Sequence, residues 1–151
     1  MGKPLSEVDR AYLAGFLDGD GAIMALIEKH PEKRFGFRVR LEMNVTQYHE
    51  CDVAWLPAAT GVGYIRRNLR TYQWIVRDQQ AVKWLLEMLA PYSRCKTNQI
   101  ALAMQILEQR VHSKEDLVEV ARLADALSKF NVRSQNRRKN HAVMVQESVL
   151  P

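Results

Sequence analysis

Ten residues from Phe37 to Thr46 alternate between apolar and polar side chains without a break. Successive side chains of a β-strand point to opposite faces, so strict alternation is typical of a strand with one face against a core. The apolar set is Phe37, Val39, Leu41, Met43 and Val45, and the polar set is Arg38, Arg40, Glu42, Asn44 and Thr46. The sequence therefore predicts a half-buried sheet whose other face is exposed and polar.

Helical and strand patterns follow one another in a regular order along the 151 residues. The predicted helices are 7–18, 50–56, 78–90, 96–109, 113–129 and 138–148, and the predicted strands are 22–30, 37–46, 64–68 and 71–77. Pro57 is expected to stop or kink the second helix. The order αββαββα predicts a single α+β domain over residues 1–151, with an antiparallel sheet covered by helices on one face and a basic C-terminal segment at about 131–151.

Residues 13–21 read Leu-Ala-Gly-Phe-Leu-Asp-Gly-Asp-Gly and close the first predicted helix. The helix carries small side chains at Ala11, Ala14 and Gly15, so another helix could pack very close to it. The last turn is expected to break at its glycines and to present two carboxylates. The glycines are Gly19 and Gly21, and the carboxylates are Asp18 and Asp20.

A bare carboxylate at this place has an electrostatic cost, because the C-terminal end of a helix dipole is negative. A bound cation would reverse that cost. The alternative is an ordinary helix stop followed by a turn, since glycine supplies the left-handed conformation that ends many helices. Both interpretations stay open on this segment alone.

The composition favours a polyanionic partner. Lys and Arg number 22 against 17 Asp and Glu, which gives a net charge of +5. Cys51 and Cys95 form no CxxC pair and indicate reduced thiols inside a cell, in a compartment that the sequence does not name. No apolar run approaches the ~20 residues of a membrane helix, and no signal peptide is recognisable. Neither a membrane partner nor a small-molecule substrate is expected.

The exposed sheet face has side chains that suit base edges, since Arg matches guanine and Asn matches adenine. A solvated surface is the alternative for the same residues. The candidates on the first strand pair are Met24, Leu26, Glu28, His30, Lys33, Arg38, Arg40, Glu42, Asn44 and Thr46, and those on the second pair are Arg66, Asn68, Arg70, Gln73, Ile75 and Arg77. Arg137, Arg138 and Lys139 in the basic tail are expected to bind phosphates or to form a solvated C-terminus.

Residues 13–21 resemble the LAGLIDADG motif of homing endonucleases and related maturases, with Phe16, Leu17 and Gly19 replacing three consensus letters. The segments 61–64 and 89–96 also resemble homodimeric members. The resemblance covers nearly the whole chain and implies the LAGLIDADG fold with a saddle-shaped sheet. One motif in one domain implies a homodimer, with Ala11, Ala14, Gly15 and Asp18 at the seam and the two copies of Asp20 near the twofold axis.

The same resemblance implies the chemistry of the site. Mg²⁺ would be held by Asp20 and by the carbonyl of Gly19, and Mn²⁺ or Ca²⁺ can occupy such a site. Gln47 would order a water near the metal, and Lys96 would stabilise charge on the phosphate or tune that water. Asp18 is expected to support the helix end rather than to bind metal. Where many relatives carry a further basic residue, this chain offers His49 or Cys51.

The implied activity is that of an intron-encoded, site-specific homing endonuclease. It would make a staggered double-strand break in a long, roughly palindromic DNA site by metal-dependent hydrolysis of phosphodiester bonds. Two alternatives share the fold: an intron RNA maturase and a DNA-binding protein that does not cleave. The presence of Asp20, Gln47 and Lys96 favours the nuclease.

Overall fold

Ten helices and strands make up the described part of the chain, in the order that the sequence predicts. The structure is a computed structural model, and it describes residues 2–131 and 141–148. The helices are α1 (Glu7–Asp20), α2 (Cys51–Thr60), α3 (Gln79–Leu89), α4 (Thr97–Glu108), α5 (Lys114–Phe130) and α6 (His141–Gln146). The strands are β1 (Gly21–Lys29), β2 (Phe37–Gln47), β3 (Tyr64–Asn68) and β4 (Thr71–Val76).

The four strands form one antiparallel sheet in the order β1-β2-β4-β3. The register places Met43 of β2 opposite Ile23 of β1 on one side and Val76 of β4 on the other. Alternation along β2 then turns Leu41, Met43 and Val45 toward the helices, where all three are buried. The inner face that the alternating pattern predicts is therefore confirmed.

The core lies between this inner face and helices from several parts of the chain. Its largest fully buried side chains include Trp74 on the sheet and Leu56, Leu85 and Leu86 on α2 and α3. Trp74 satisfies its ring nitrogen by donating from Nε1 to the carbonyl of Val62 at 3.0 Å, so no polar atom of this large side chain is stranded in the core.

The first helix runs two residues further than the sequence predicts, and it joins β1 without a loop. The residue after it, Gly21, has an extended backbone with φ −82° and is not a left-handed cap. A Cβ at Gly21 would lie 2.5 Å from Cδ2 and 2.8 Å from the carbonyl oxygen of Leu17. Glycine is therefore required here by the close approach of the helix to the strand, and the interpretation as a helix stop with a turn is wrong.

The second helix continues through Pro57, against expectation. Proline removes only one backbone donor, and here it lies in the last turns of the helix. The turns beyond it are held by buried contacts: Thr60 donates from its hydroxyl to the carbonyl of Leu56 at 2.7 Å. Gly61, with φ 73°, then closes the helix by donating to the carbonyl of Pro57 at 2.9 Å. The helix consequently reaches Thr60.

None of the helices in the described ranges is both long and apolar enough to span a lipid bilayer. The final predicted helix, 138–148, is represented by α6, which begins at His141. Asp125 of α5 holds that helix by accepting from the backbone N–H groups of His141 and Ala142 at 2.6 and 2.9 Å. Arg137, Arg138 and Lys139 lie outside the described residues.

Candidate active site and DNA-binding face

The end of α1 delivers the carboxylate of Asp20 to the start of the sheet. Because α1 passes directly into β1, Asp20 lies next to the last residue of the neighbouring strand β2. That residue is Gln47, which donates from Nε2 to Oδ2 of Asp20 at 2.9 Å. The bond fixes the amide and the carboxylate relative to each other at an exposed position.

An open cleft of about 580 Å³ surrounds this pair and also reaches Lys96. The structure thus brings together the three residues that the sequence analysis selects as catalytic, although they are far apart in the chain. The lining residues are Gly19, Asp20, Gly21, Ala22, Asn44, Thr46, Gln47, Tyr48, Thr71, Lys96, Phe130 and Asn131. Neither His49 nor Cys51 is among them.

Five lining residues outside the motif were not selected from the sequence: Ala22, Tyr48, Thr71, Phe130 and Asn131. Asn131 follows the last residue of α5 and donates from Nδ2 to the carbonyl of Ile23 on β1. No motif in the sequence marks these positions. The packing of α5 on β1 brings Phe130 and Asn131 to the cleft, and the others lie at or beside the ends of strands.

One chain by itself offers an incomplete metal site. In residues 2–131 and 141–148, no cluster of three or more His, Cys, Asp or Glu side chains could hold a metal ion. Asp20 and the carbonyl of Gly19 offer oxygen donors, which are the ligands that hard divalent cations prefer. The donor chemistry therefore fits Mg²⁺ or Ca²⁺, although these two groups alone do not complete the coordination of such a cation.

The second acid of the motif, Asp18, binds the segment that leads into α4. It accepts from the hydroxyl of Ser93 at 2.5 Å and from the backbone N–H groups of Arg94 and Cys95 at 2.7 and 3.1 Å. Burial by itself would raise the pKa of Asp18, but these hydrogen bonds and the positive charge of Lys96 outweigh it and hold the pKa below its usual value. These bonds hold the carboxylate against its own chain, and the placement of Asp18 at a dimer seam stays a prediction.

The exposed face of α1 carries small residues at intervals of four: Ala11, Gly15 and Gly19. No heavy atom lies within 4 Å of a Cβ built at Gly15 or Gly19, so this face is open in the single chain. The prediction that Ala14 belongs to the same face was wrong. A turn of 100° per residue moves Ala14 toward Leu13 and Leu17, and all three are buried.

The outer face of the sheet is polar, as predicted, but several of its side chains are paired with one another. Glu28 accepts from the guanidinium groups of Arg38 and Arg40 at 2.8 and 2.9 Å. The hydrogen bond from Arg38 lowers the pKa of Glu28, and the opposing effect of burial is smaller. On the second strand pair, Arg66 donates to Gln73 at 2.8 Å.

Three residues predicted to be exposed on this face are in fact buried: Glu42, Asn44 and Ile75. Glu42 accepts from Arg77 and from Asn44, and the register places Ile75 beside Asn44. The alternating pattern correctly assigns their face. It does not reveal that neighbouring outer-face side chains would cover them.

The other candidates on this face keep more contact with solvent. Met24 and Leu26 are half-buried on β1, and Thr46 is exposed near the cleft. His30 and Lys33 occupy the turn between β1 and β2, and Asn68 and Arg70 lie at the turn between β3 and β4.

Comparison with known proteins defines the class to which this fold and site belong. Residues 13–107 match the family model described as LAGLIDADG endonuclease. The chain is 32% identical over 127 residues to the DNA endonuclease I-CreI of Chlamydomonas reinhardtii, covering 80% of this chain and 77% of that protein. It is also 32% identical over 120 residues to the DNA endonuclease I-CvuI of Chlorella vulgaris, covering 76% and 74%.

Solved structures show the same fold. A crystal structure of I-CvuI, bound to the I-CreI target with 2 mM Mg and with the DNA uncleaved, has a TM-score of 0.84 at 28% identity and covers 93% of this chain and 92% of that one. Another I-CvuI structure, bound to its own target with 2 mM Ca, has a TM-score of 0.83 at 28% identity, covering 93% and 91%. The chain belongs to the LAGLIDADG endonuclease family and is an endodeoxyribonuclease. The predicted family and fold are confirmed.

Proposed function

We propose that this homing endonuclease cuts both strands of a long, roughly palindromic DNA site as a homodimer that uses Mg²⁺. The single observation that carries the proposal is the cleft in which Asp20, Gln47 and Lys96 meet at the edge of the polar sheet face. Catalytic side chains and a surface suited to DNA are thus continuous.

The proposed dimer would supply the second carboxylate that the metal site of one chain lacks. A metal site with one carboxylate is incomplete, and the open face at Gly15 and Gly19 would let a second copy of α1 approach closely. Close approach of the two helices would bring the two copies of Asp20 together. Two neighbouring carboxylates repel each other unless cations share them, so divalent metal binding and dimerisation support one another.

Each chain's residues then have distinct roles. Asp20 and the carbonyl of Gly19 would hold the cation, which when bound supplies Lewis-acid stabilisation of the scissile phosphate. Gln47 anchors Asp20 through its amide N–H, and its carbonyl oxygen can orient the attacking water. The ammonium group of Lys96 would stabilise negative charge that develops on the phosphate.

The outer sheet face would read the base pairs of each half-site. A strand rises ~3.3 Å per residue and B-DNA rises ~3.4 Å per base pair, so β2 would follow roughly ten base pairs along the major groove. Arg66, Asn68 and Arg70 extend the polar surface on the second strand pair. Phosphate binding by Arg137, Arg138 and Lys139 remains a prediction.

Cleavage is favoured over the two alternatives with the same fold. The matched family and both curated relatives are described as endonucleases, and the related I-CvuI structures were determined with Mg or Ca.

The free, exposed thiols of Cys51 and Cys95 fit a reducing environment inside a cell.

A selection from randomised duplex DNA tests the proposal. Sites would be selected by binding in Ca²⁺ and then incubated with Mg²⁺, with EDTA as the metal-free control. We expect the selected sites to be roughly palindromic and to be cut on both strands in Mg²⁺ but not in EDTA. Selected sites that are bound but remain uncut in both Mg²⁺ and Mn²⁺ would favour a non-cleaving DNA-binding protein instead.

A further inference from the structure

Glu42 is a buried carboxylate on the surface that would approach DNA. It lies on β2, and only 4% of the residue is exposed. A negative charge facing a polyanion is repelled, and a buried charge costs free energy unless it is paired and hydrogen-bonded. The position of Glu42 therefore calls for a specific role.

Both carboxylate oxygens of Glu42 have partners on the same face. Arg77 donates from Nε to Oε2 at 2.7 Å, and Asn44 donates from Nδ2 to Oε1 at 3.1 Å. The bond to Glu42 raises the pKa of Arg77, against an opposing effect of burial. The carboxylate thus binds a guanidinium and an amide at the same time.

This contact determines which way the amide of Asn44 points. An ionised carboxylate only accepts hydrogen bonds, so Asn44 must turn its NH₂ group toward Glu42. Asn44 is only 7% exposed, but it lines the open cleft, so its amide borders the surface that would meet DNA. The buried Ile75 beside it restricts rearrangement of the side chain. The NH₂ group carries a second N–H, which together with Oδ1 forms the donor–acceptor pair that adenine matches in the major groove.

Arg77 is oriented in the same way. Its bond to Glu42 uses the Nε–H, and a guanidinium carries four further N–H donors in a planar arrangement. The carboxylate also offsets the positive charge of Arg77. Without it, Arg77 would attract phosphates of any sequence.

We propose that Glu42 is a specificity-determining positioning residue, which orients Asn44 and Arg77 for base readout without itself touching DNA. This inference rests on the proposed binding of DNA to the outer sheet face. In this account Glu42 determines which base pairs are preferred, and Asn44 and Arg77 make the contacts with them.

The test compares base preferences after selection from a randomised duplex library in Ca²⁺, where binding is measured without cleavage. In Glu42→Gln the NH₂ of glutamine either faces the Nε–H donor of Arg77 or requires Asn44 to turn its amide over and accept through Oδ1. We expect preference at one position of each half-site to fall about tenfold, while affinity for random DNA rises several-fold. Asn44→Ala should alter the base preference at that same position. The double variant Glu42→Gln/Asn44→Ala should show nearly the same preference there as Asn44→Ala alone.

Glu28→Gln is the matched control, because Glu28 is the acid that pairs with Arg38 and Arg40 on the same face. Glu28→Gln should alter the base preference at a different position of the half-site. Thermal unfolding checks that each variant is folded. Arg77→Gln identifies the position that Arg77 reads, and Glu42→Asp, which shortens the side chain, replaces Glu42→Gln if the latter does not fold.

An unchanged preference profile in Glu42→Gln would overturn the inference, and so would a change confined to positions that neither Asn44→Ala nor Arg77→Gln alters. A wild-type protein that selects no sequence at all would overturn the proposed function, and this inference with it. Selective wild-type binding with an unaltered Glu42→Gln profile would overturn the inference alone.

Discussion

The carboxylate of Asp18 accepts a hydrogen bond from the hydroxyl of Ser93 at 2.5 Å and so ties α1 to the segment preceding α4. Asp18 lies two residues before Asp20, and Ser93 lies three residues before Lys96. The backbone N–H of Lys96 in turn donates to the hydroxyl of Ser93 at 3.3 Å. The two acids of the motif thus have separate tasks: Asp20 faces the cleft, and Asp18 positions the backbone that carries Lys96.

Asp18→Asn should slow cleavage without weakening DNA binding. The substitution removes the negative charge from a group that accepts three hydrogen bonds, and one hydrogen bond to a charged group contributes ~1.5–3 kcal/mol. We expect the single-turnover rate to fall roughly tenfold, because about 1.36 kcal/mol corresponds to a factor of ten. If Asp18 acts through Lys96, the rate losses of Asp18→Asn and Lys96→Ala will not add. Asp18→Asn will then lower the cleavage rate little further in a Lys96→Ala background.

Asp116→Asn is the matched control for this cycle. Asp116 likewise accepts from backbone N–H groups, those of His112 and Ser113, but it lies at the start of α5 and does not line the cleft. Its loss should lower stability and leave the cleavage rate intact. Fully additive rates for Asp18→Asn and Lys96→Ala would contradict the positioning role, and an unaltered rate in Lys96→Ala would contradict the catalytic role of Lys96.

The stability that Asp18 contributes should depend on pH. Its pKa is lower in the folded chain than the ordinary 3.8, so the folded state favours the ionised form. The contribution is then fully present above the ordinary pKa and is lost as the pH falls through the folded-state pKa. Urea unfolding should show a constant difference between wild type and Asp18→Asn at about pH 5 to 7, shrinking toward about pH 3. A stability difference between the two proteins that grows on acidification would contradict a lowered pKa for Asp18.

Gly15→Leu should prevent dimerisation while the chain remains folded. A side chain at Gly15 meets no atom within 4 Å in the single chain, and replacing a helical glycine favours the helix by up to about 1 kcal/mol. The added bulk would instead block the approach of a second α1. Sedimentation of the DNA-free protein should give a dimer for wild type and for Ala101→Leu, which adds the same bulk at an exposed position of α4, and a monomer for Gly15→Leu. A dimeric Gly15→Leu variant would place the seam elsewhere.

Leu86→Ala should lower the free energy of unfolding by ~2–5 kcal/mol, because Leu86 is 0% exposed and its truncation leaves a cavity under α1. Leu69→Ala removes the same atoms from a residue that is 99% exposed, and it should change stability by less than about 0.5 kcal/mol. Denaturant unfolding of both variants measures the difference. Equal losses would contradict the assignment of the core.

The sequence predicted those parts of the structure that depend on local pattern. Alternation at 37–46 located β2 and its inner face, and the Ser113–Asp116 spacing located the start of α5. Alternation did not reveal the burial of Glu42, because its contacts with Asn44 and Arg77 form only in the folded sheet. The helix through Pro57 and the burial of Ala14 likewise depend on tertiary packing, which outweighs local rules. The family resemblance, rather than local pattern, indicated that Asp20, Gln47 and Lys96 would share a site, and it did not show how they are held there.

The central claim is that Asp20 is the carboxylate through which two copies of this chain hold the cation for cleavage. The most direct measurement compares wild type with Asp20→Asn on one selected duplex, recording binding in Ca²⁺ and single-turnover cleavage in Mg²⁺. The amide keeps the size of the side chain but removes the charge that attracts a metal. We predict that cleavage is lost while the DNA is still bound. Cleavage by Asp20→Asn at the wild-type rate would contradict the account.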